Sequence, residues 1–423
     1  FMQHWGTVLT QNEKWVASLS QVALSVGGGV MVYYMIKQSG TTFRNAGLSG
    51  RDLCKRDNKR LIPESMGIIS GTVFLMVMFL FAGVRFGQHL LSSDKPFPHE
   101  LFGQLLAALL SISCMLLLGF VDDVLNLKWR YKLFLPTLAS LPLLMSHYIN
   151  HGSTHMSIPM FLWPYMRHCI NIGKLYYVYM SLLAVFCTNA INIYAGINGL
   201  EVGQSIVIAI SIAVFNCLEI PTYLGNIHHL SLCILMPFIA TSVALFCHNK
   251  YPARVFVGDT FTYFAGMTFA VVGIIGHFSK TVMMFFLPQL LNFVYSIPQL
   301  FRLLPCPRHR LPQYNPSTDS LEFSRTTIRT RSLNRHTLLA VRILSSLRLL
   351  SAVYVASDPK FDHESTVTIN NLTLINLVLY WCGPLHESVL TWMLLFLQVL
   401  CTGLAFFIRY SVANYIFSDK PPN

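Results

Sequence analysis

Charge is what this sequence lacks: Asp, Glu, Lys and Arg together make up 11% of its 423 residues, where soluble domains carry about 25%. With 53% hydrophobic residues and a mean hydropathy of +0.52, an ordinary soluble fold is excluded and the chain reads as a polytopic membrane protein. Paired cysteines are missing too. None of the ten cysteines forms a CxxC pair, and Cys114, Cys187, Cys217, Cys233, Cys247 and Cys401 fall inside apolar runs; this argues against zinc ribbons and dithiol redox motifs and leaves core thiols. No small-residue cleavage pattern follows the first apolar run, so that run is expected to stay as a span. A basic patch on a soluble domain is also absent. The net charge of +12 resides mostly in loops between apolar segments, and nucleic acid is not an expected partner.

What is there is a series of apolar runs. Windows of roughly 20 residues pick out about ten transmembrane helices, at 15–36, 67–87, 101–121, 131–148, 174–195, 199–218, 229–247, 260–278, 281–300 and 388–409. The fourth is short and holds Pro136 and Pro142. The expected fold is an all-α polytopic membrane protein, with a transmembrane bundle over 1–300, a small cytosolic insert over 301–384 and a last helix with its tail over 385–423. Loops 37–66, 119–132, 248–259 and 301–384 hold 22 of the 30 Lys and Arg. By the positive-inside rule these loops face the cytoplasm, which puts both termini on the luminal side.

Five polar clusters then gather on one membrane face. The first is Arg51, Asp52 and Leu53 with Glu64. The second is FVDDVLNLKWRYK (120–132), with adjacent Asp122 and Asp123 followed by Asn126, Lys128, Arg130 and Lys132. If its helix continues, Asp122 and Asn126 share a face at i, i+4. The third, FCTNAINIYAGINGLE (186–201), puts Asn189 and Asn192 three apart at a helix end, and buried amides of this kind are costly unless paired or liganded. Gly196 and Gly199 in it permit a tight reversal and close approach of a ligand. The fourth runs from Arg254 to Thr260 and includes Phe256 and Asp259, the latter at a position that also suits a helix N-cap. The fifth, PCPRHR (305–310), presents Arg308, His309 and Arg310, guanidinium forks suited to phosphate or pyrophosphate.

Each cluster has a plainer reading, as a helix end, helix-packing glue, a cap or a membrane anchor. Collected on one face, they point to phosphoryl transfer or nucleotide handling at a membrane surface. Asn192 and Asp259 offer two oxygen ligands without thiolates, which suits Mg²⁺ completed by phosphate oxygens. Cys306 and His309 lack companions at zinc spacing.

These motifs, together with RVFVGDTFTYFAGMTFAVVGIIGHFSK (254–280), resemble the polyprenyl-phosphate N-acetylhexosamine-1-phosphate transferases over nearly the whole chain. The Pro-Arg-His-Arg stretch is most similar to the eukaryotic, GlcNAc-loading branch; bacterial relatives that load a MurNAc-pentapeptide carry a His-rich last motif. The resemblance implies UDP-GlcNAc and dolichyl phosphate as substrates, Mg²⁺ held by Asn192 and Asp259, and Lys132 on the lipid phosphate with Asp122 and Asp123 orienting it or the nucleophile. Arg308 is expected on the pyrophosphate. A uridine pocket would be built by Leu53, Glu64, Gly196, Asn198 and Phe256, with Arg51, Asp52 and Asn126 beside the substrate, and His309 and Arg310 would face the sugar. Val185, Phe186 and Asn189 are expected along the lipid. The family usually carries an amide before Asp-Leu where this chain has Arg51, and the chain has one extra residue before Glu64. The resemblance further implies an endoplasmic reticulum membrane, inhibition by tunicamycin, and allows a homodimer. A sibling transferase for another UDP-HexNAc, a nucleotide-sugar transporter and a non-catalytic scaffold are the alternatives; a transporter would line a midplane path with its polar groups.

Overall fold

The structure, a computed structural model, describes residues 11–55, 60–91, 97–150, 154–158, 169–222, 224–307, 310–358 and 364–417. The apolar runs become helices α1 (Gln11–Asn45), α2 (Gly67–Leu91), α3 (His99–Leu125), α4 (Trp129–Asn150), α5 (Leu175–Ile193), α6 (Leu200–Glu219), α7 (Gly225–Asn249) and α8 (Gly258–Ile275). The ninth run breaks at Phe286 into α9 (Ser279–Phe285) and α10 (Leu287–Leu300), bent by 72°. Among the described residues eight helices are long and apolar enough to cross a membrane, or nine with the bent pair counted as one. The expected count of ten therefore rests on α4. Its 22 residues span about 33 Å at 1.5 Å per residue, yet Pro136, Ser140, Pro142 and His147 interrupt its apolar run.

The break in the ninth run has a physical account. A bend frees backbone carbonyls, and in an apolar setting each needs a new donor. Gln398 Nε2 reaches the Phe285 carbonyl at 2.8 Å, and Gln289 Nε2 joins Gln398 Oε1 to Gln204 Oε1, both at 2.7 Å. α8 is the central helix. It packs on α2, α3, α5, α6 and α7, and from Thr260 to Ile275 every residue is buried, as a helix without a charged residue after Asp259 requires. Its N-terminus meets the C-termini of α3 and α5, which is what brings the second, third and fourth clusters together.

Among the described residues, strands occur only between helices. β1 (Ser49–Arg51) pairs with β2 (Leu61–Pro63), and β3 (His155–Ser157) pairs with β4 (Cys169–Asn171). The insert holds a hairpin of β5 (Gln313–Asn315) and β6 (Ser320–Glu322), then β7 (Arg325–Arg329), α11 (Arg335–Ser346), β8 (Ala352–Asp358), β9 (Glu364–Asn370) and α12 (Leu374–Cys382). Its antiparallel sheet has the order β7-β9-β8. Leu304, Ile328, Val341, Leu350, Val367, Ile369 and Leu372 form a small core of its own. The last span, α13, runs Glu387–Phe407. Asn371, which opens the N-glycosylation signal Asn371-Leu372-Thr373, is buried; its Oδ1 accepts from Gln299 and Thr326 and its Nδ2 donates to Ser324. Once folded, it is not available as a glycan acceptor whichever side the insert faces.

Candidate active site

Asp122 sits one turn before the end of α3 and is buried. Its Oδ2 accepts from Tyr263 Oη at 3.0 Å and pairs with Lys132 Nζ at 2.8 Å, while its Oδ1 accepts the Leu127 amide at 3.0 Å. The same Lys132 Nζ reaches Asp259 Oδ2 at 3.0 Å, and Asp259 Oδ1 accepts from Asn192 Nδ2 at 2.9 Å. A continuous array therefore runs Tyr263, Asp122, Lys132, Asp259, Asn192. One lysine between two carboxylates leaves the array net negative, with room for a cation beside it.

Asp123 takes a different part. Its Oδ1 accepts the Asp259 amide at 2.7 Å, and its Oδ2 accepts the Thr260 amide at 3.2 Å and the Thr260 hydroxyl at 2.5 Å. The first N–H groups of a helix have no partner within it and favour negative charge. Here the carboxylate that serves them comes from another helix. Asp259 is thus not the cap of α8; the N-cap position is Val257, and Asp259 itself lies in the first turn. Gly258 makes this possible, because its φ is +74° and a Cβ there would stand 2.2 Å from Asp123 Oδ2.

Asn126 does not extend the α3 face. The helix ends at Leu125 and Asn126 turns the chain in the left-handed region at φ 48°, with its amide on the Asp122 carbonyl; Asn tolerates that conformation better than most residues. Its side chain is exposed and outside the cleft described next. Asn189 Nδ2 donates to the Lys132 carbonyl at 3.3 Å and the Val185 carbonyl at 2.9 Å, tying α5 to the start of α4. Phe186 packs on Phe286.

Beside the array lies a cleft of about 260 Å³, lined by Arg51, Asp52, Leu53, Glu64, Asn192, Gly196, Asn198, Phe256 and Asp259 among others. Nine of the expected residues from three separate loops thus share one cavity. Backbone pairing explains how: the Phe256 amide donates to the Pro63 carbonyl at 2.8 Å, and Met66 and Gly67 donate back to Phe256 and Val257. This sews the first loop to the fourth. Burial raises the Glu64 carboxyl above its ordinary range, and the charges of Asp123 and Asp259 raise it further. Gly196, at φ +117°, faces Leu311 of the insert so closely that a Cβ would meet Leu311 Cδ2 at 2.2 Å.

Several residues that sequence reasoning missed hold this cleft together. The Asn198 amide donates to Glu387 Oε1 at 2.7 Å, its carbonyl accepts from Thr391 at 3.1 Å, and its Nδ2 reaches Asp52 Oδ2 at 3.0 Å. Glu387, buried at the start of α13, also pairs with Lys55, whose Nζ lies 3.9 Å over the Tyr251 ring. Glu201 accepts the Gly196 amide at 2.9 Å and lines the cleft. A carboxylate opening an apolar helix is the only signal Glu387 gave.

Arg310 Nη1 is buried without a hydrogen-bond partner among the described residues, and burial lowers the pKa of its guanidinium. It does not line the cleft, although its neighbour Leu311 does. Arg308 and His309 lie outside the described residues. Among the described residues no three His, Cys, Asp or Glu side chains group as a metal site. Asn192 and Asp259 supply oxygen donors only, on the cleft wall. That set fits a hard, partly hydrated divalent cation whose remaining ligands come from water and phosphate.

Residues 105–277, which carry the whole array, match the family described as Glycosyl transferase family 4. The chain is 42% identical to the UDP-N-acetylglucosamine–dolichyl-phosphate N-acetylglucosaminephosphotransferase of Schizosaccharomyces pombe, over 98% of this chain and 96% of that one. It is 38% identical to the protein of the same name from Saccharomyces cerevisiae, over 96% and 94%. A more distant relative, 27% identical over 40% of this chain and 43% of its own, is the probable undecaprenyl-phosphate N-acetylglucosaminyl 1-phosphate transferase of Bacillus subtilis.

Proposed function

The chain belongs to the family of UDP-N-acetylglucosamine–dolichyl-phosphate N-acetylglucosaminephosphotransferases, and from that premise we infer that it transfers GlcNAc-1-phosphate from UDP-GlcNAc to dolichyl phosphate in the cleft beside Lys132. The observation that carries this reading is the Asp122–Lys132–Asp259–Asn192 array, whose last two members line a cleft at the helix ends. A phosphate oxygen of dolichyl phosphate attacks the β-phosphorus of UDP-GlcNAc in line. The bond from that phosphorus to the bridging oxygen breaks, UMP leaves with the electron pair, and dolichyl-diphospho-GlcNAc remains in the bilayer. A phosphomonoester is already largely ionised at neutral pH, with a second pKa of about 6, so no strong base is required. What the protein must do is align two anions and offset their repulsion.

Lys132 is placed for the lipid phosphate, held by Asp122 so that its ammonium points along the array. Asp123 fixes the first turn of α8 and with it Asp259. Phe256 stacks on the uracil, with Leu53, Glu64, Gly196 and Asn198 around the nucleoside and Arg51 and Asp52 at the edge. Arg308 would take the pyrophosphate and His309 the sugar, with Arg310, next in the chain to Leu311 of the cleft wall, contributing from the insert. Val185, Phe186 and Asn189 lie along the polyprenyl chain. Asn192 and Asp259 would hold Mg²⁺, which when bound polarises the pyrophosphate and neutralises developing charge. We place the protein in the endoplasmic reticulum membrane with the cleft cytosolic and the termini luminal, inhibited by tunicamycin and able to pair as a homodimer.

The test is an assay with purified protein, dolichyl phosphate and sugar-labelled UDP-GlcNAc. Labelled lipid formed with equal UMP, and lost on chelation, is the expected result. UDP-sugar binding with neither product would overturn the reading.

A further inference from the structure

Helix α11 has two apolar faces. One is consumed by the insert, where Val341 sits in the small core and Leu344 packs against it. The other carries Leu339, Ile343 and Leu347, spaced four apart on one stripe and 57%, 49% and 61% exposed. Arg335 and Arg342 flank that stripe, and Arg348 follows it. From Ser324 to Ser357 the chain holds six arginines and no carboxylate, so nothing within this stretch offsets their charge.

The position of α11 is fixed by two contacts just beyond its end. Tyr295, five residues before the end of the ninth span, donates to the Leu349 carbonyl at 2.5 Å. Trp381, six residues before the last span opens, donates from Nε1 to the Arg348 carbonyl at 2.8 Å and is itself 57% exposed. Phe301 and Leu303, where the ninth span leaves the bundle, are exposed as well. The second apolar face therefore lies beside the end of the ninth span and the approach to the last.

We propose that α11 is an interfacial helix, with Leu339, Ile343 and Leu347 set among the acyl chains and Arg335, Arg342 and Arg348 on the phosphates of anionic phospholipid. An exposed apolar stripe edged by arginine is the composition that partitions into a headgroup layer, and charge complementarity selects an anionic leaflet over a protein surface. Docking would hold down the insert whose Leu311 closes on Gly196 of the cleft. The assignment does not depend on the reaction proposed above.

The experiment places a photoreactive benzoylphenylalanine at Ile343, or at exposed Thr318 in the β5–β6 turn, in the full-length protein. Each form is reconstituted in phosphatidylcholine vesicles with and without phosphatidylserine, irradiated, and its peptides are searched for lipid adducts by mass spectrometry. Adducts are expected at Ile343 and not at Thr318, with a higher yield in phosphatidylserine. That enrichment should fall about fivefold with each of R335Q and R342Q, variants whose unchanged turnover in detergent reports an intact fold. Absence of lipid adducts at Ile343, equal yields at both positions, equal yields in both vesicles, or adducts to a protein alone would overturn the proposal.

Discussion

Lys132 and Lys55 each stand between two carboxylates, and the two sites behave differently. Lys132 bridges Asp122 and Asp259; Lys55 bridges Glu387 and, at 3.9 Å, Asp52. In the first, Asp259 remains 26% exposed and opens on the cleft. In the second, Glu387 is 3% exposed, and its other oxygen holds the backbone amide of Asn198 where that of Asp259 holds the Asn192 side chain. One charge pattern is a site with capacity left for ligand. The other is a clasp that joins the first loop, the third loop and the last span.

The sharpest way to break that comparison is to remove capacity from each. Asp259→Ala is expected to lower turnover by at least about a thousandfold, and Lys132→Met by a few hundredfold, both in kcat. Both side chains also join distant segments, Lys132 to Asp122 and Asp259 and Asp259 to Asn192, so stability should fall as well, by about 3 kcal/mol for Lys132→Met, which leaves Asp122 buried without its counter-charge. If Lys132→Met raised only KM for UDP-GlcNAc, Lys132 would belong to the nucleotide and not to the lipid phosphate. Asp123→Ala should cost about a hundredfold by loosening the first turn of α8, with about 1 kcal/mol of stability lost with the cap. Asp123→Asn keeps an acceptor and should recover most of both. An equally inactive Asn variant would make Asp123 a participant in the chemistry, not a support.

Lys55→Met should act on KM where Lys132→Met acts on kcat. It leaves Glu387 buried without a counter-charge, so stability falls by about 3 kcal/mol, while KM for UDP-GlcNAc rises about tenfold and kcat holds. Lys55→Met with Glu387→Gln should restore much of the stability. A kcat loss as large as that of Lys132→Met would show that the clasp is part of the reactive centre.

The same contrast explains what was legible in the sequence. Helices were readable because apolarity over a span is a local property: each expected run lies in a helix, although the first continues to Asn45 and the ninth is broken at Phe286. The break at Phe286 was not, since the glutamines that satisfy it come from three different helices. Asp122, Lys132, Asn192 and Asp259 stand in long motifs at helix ends, where a polar residue beside apolar sequence is conspicuous. Asn126 was misplaced because spacing does not say where a helix stops. Glu387 and Lys55 are 332 residues apart, and neither carries a local mark of the other. The strands of the insert went unread for a similar reason: β7 finds its partner β9 only across α11 and β8.

The smallest expected effect lies between the two sites, at Glu64, which shares the cleft with Asp259. Its folded pKa is raised by burial first and then by Asp123 and Asp259. Below the ordinary glutamate value of about 4.3 the carboxyl is protonated in folded and unfolded chains alike, and it costs nothing. As pH rises from that value through the raised one, the unfolded chain ionises first, so the wild type loses stability. Glu64→Gln does not titrate. Its melting temperature relative to wild type should therefore climb through that window and level off above it, by a few degrees at most. A flat difference would mean an ordinary glutamate. A difference that falls with pH would mean that Glu64 is held ionised by a cation, which would move it from the nucleoside side of the cleft into the charged array around Lys132.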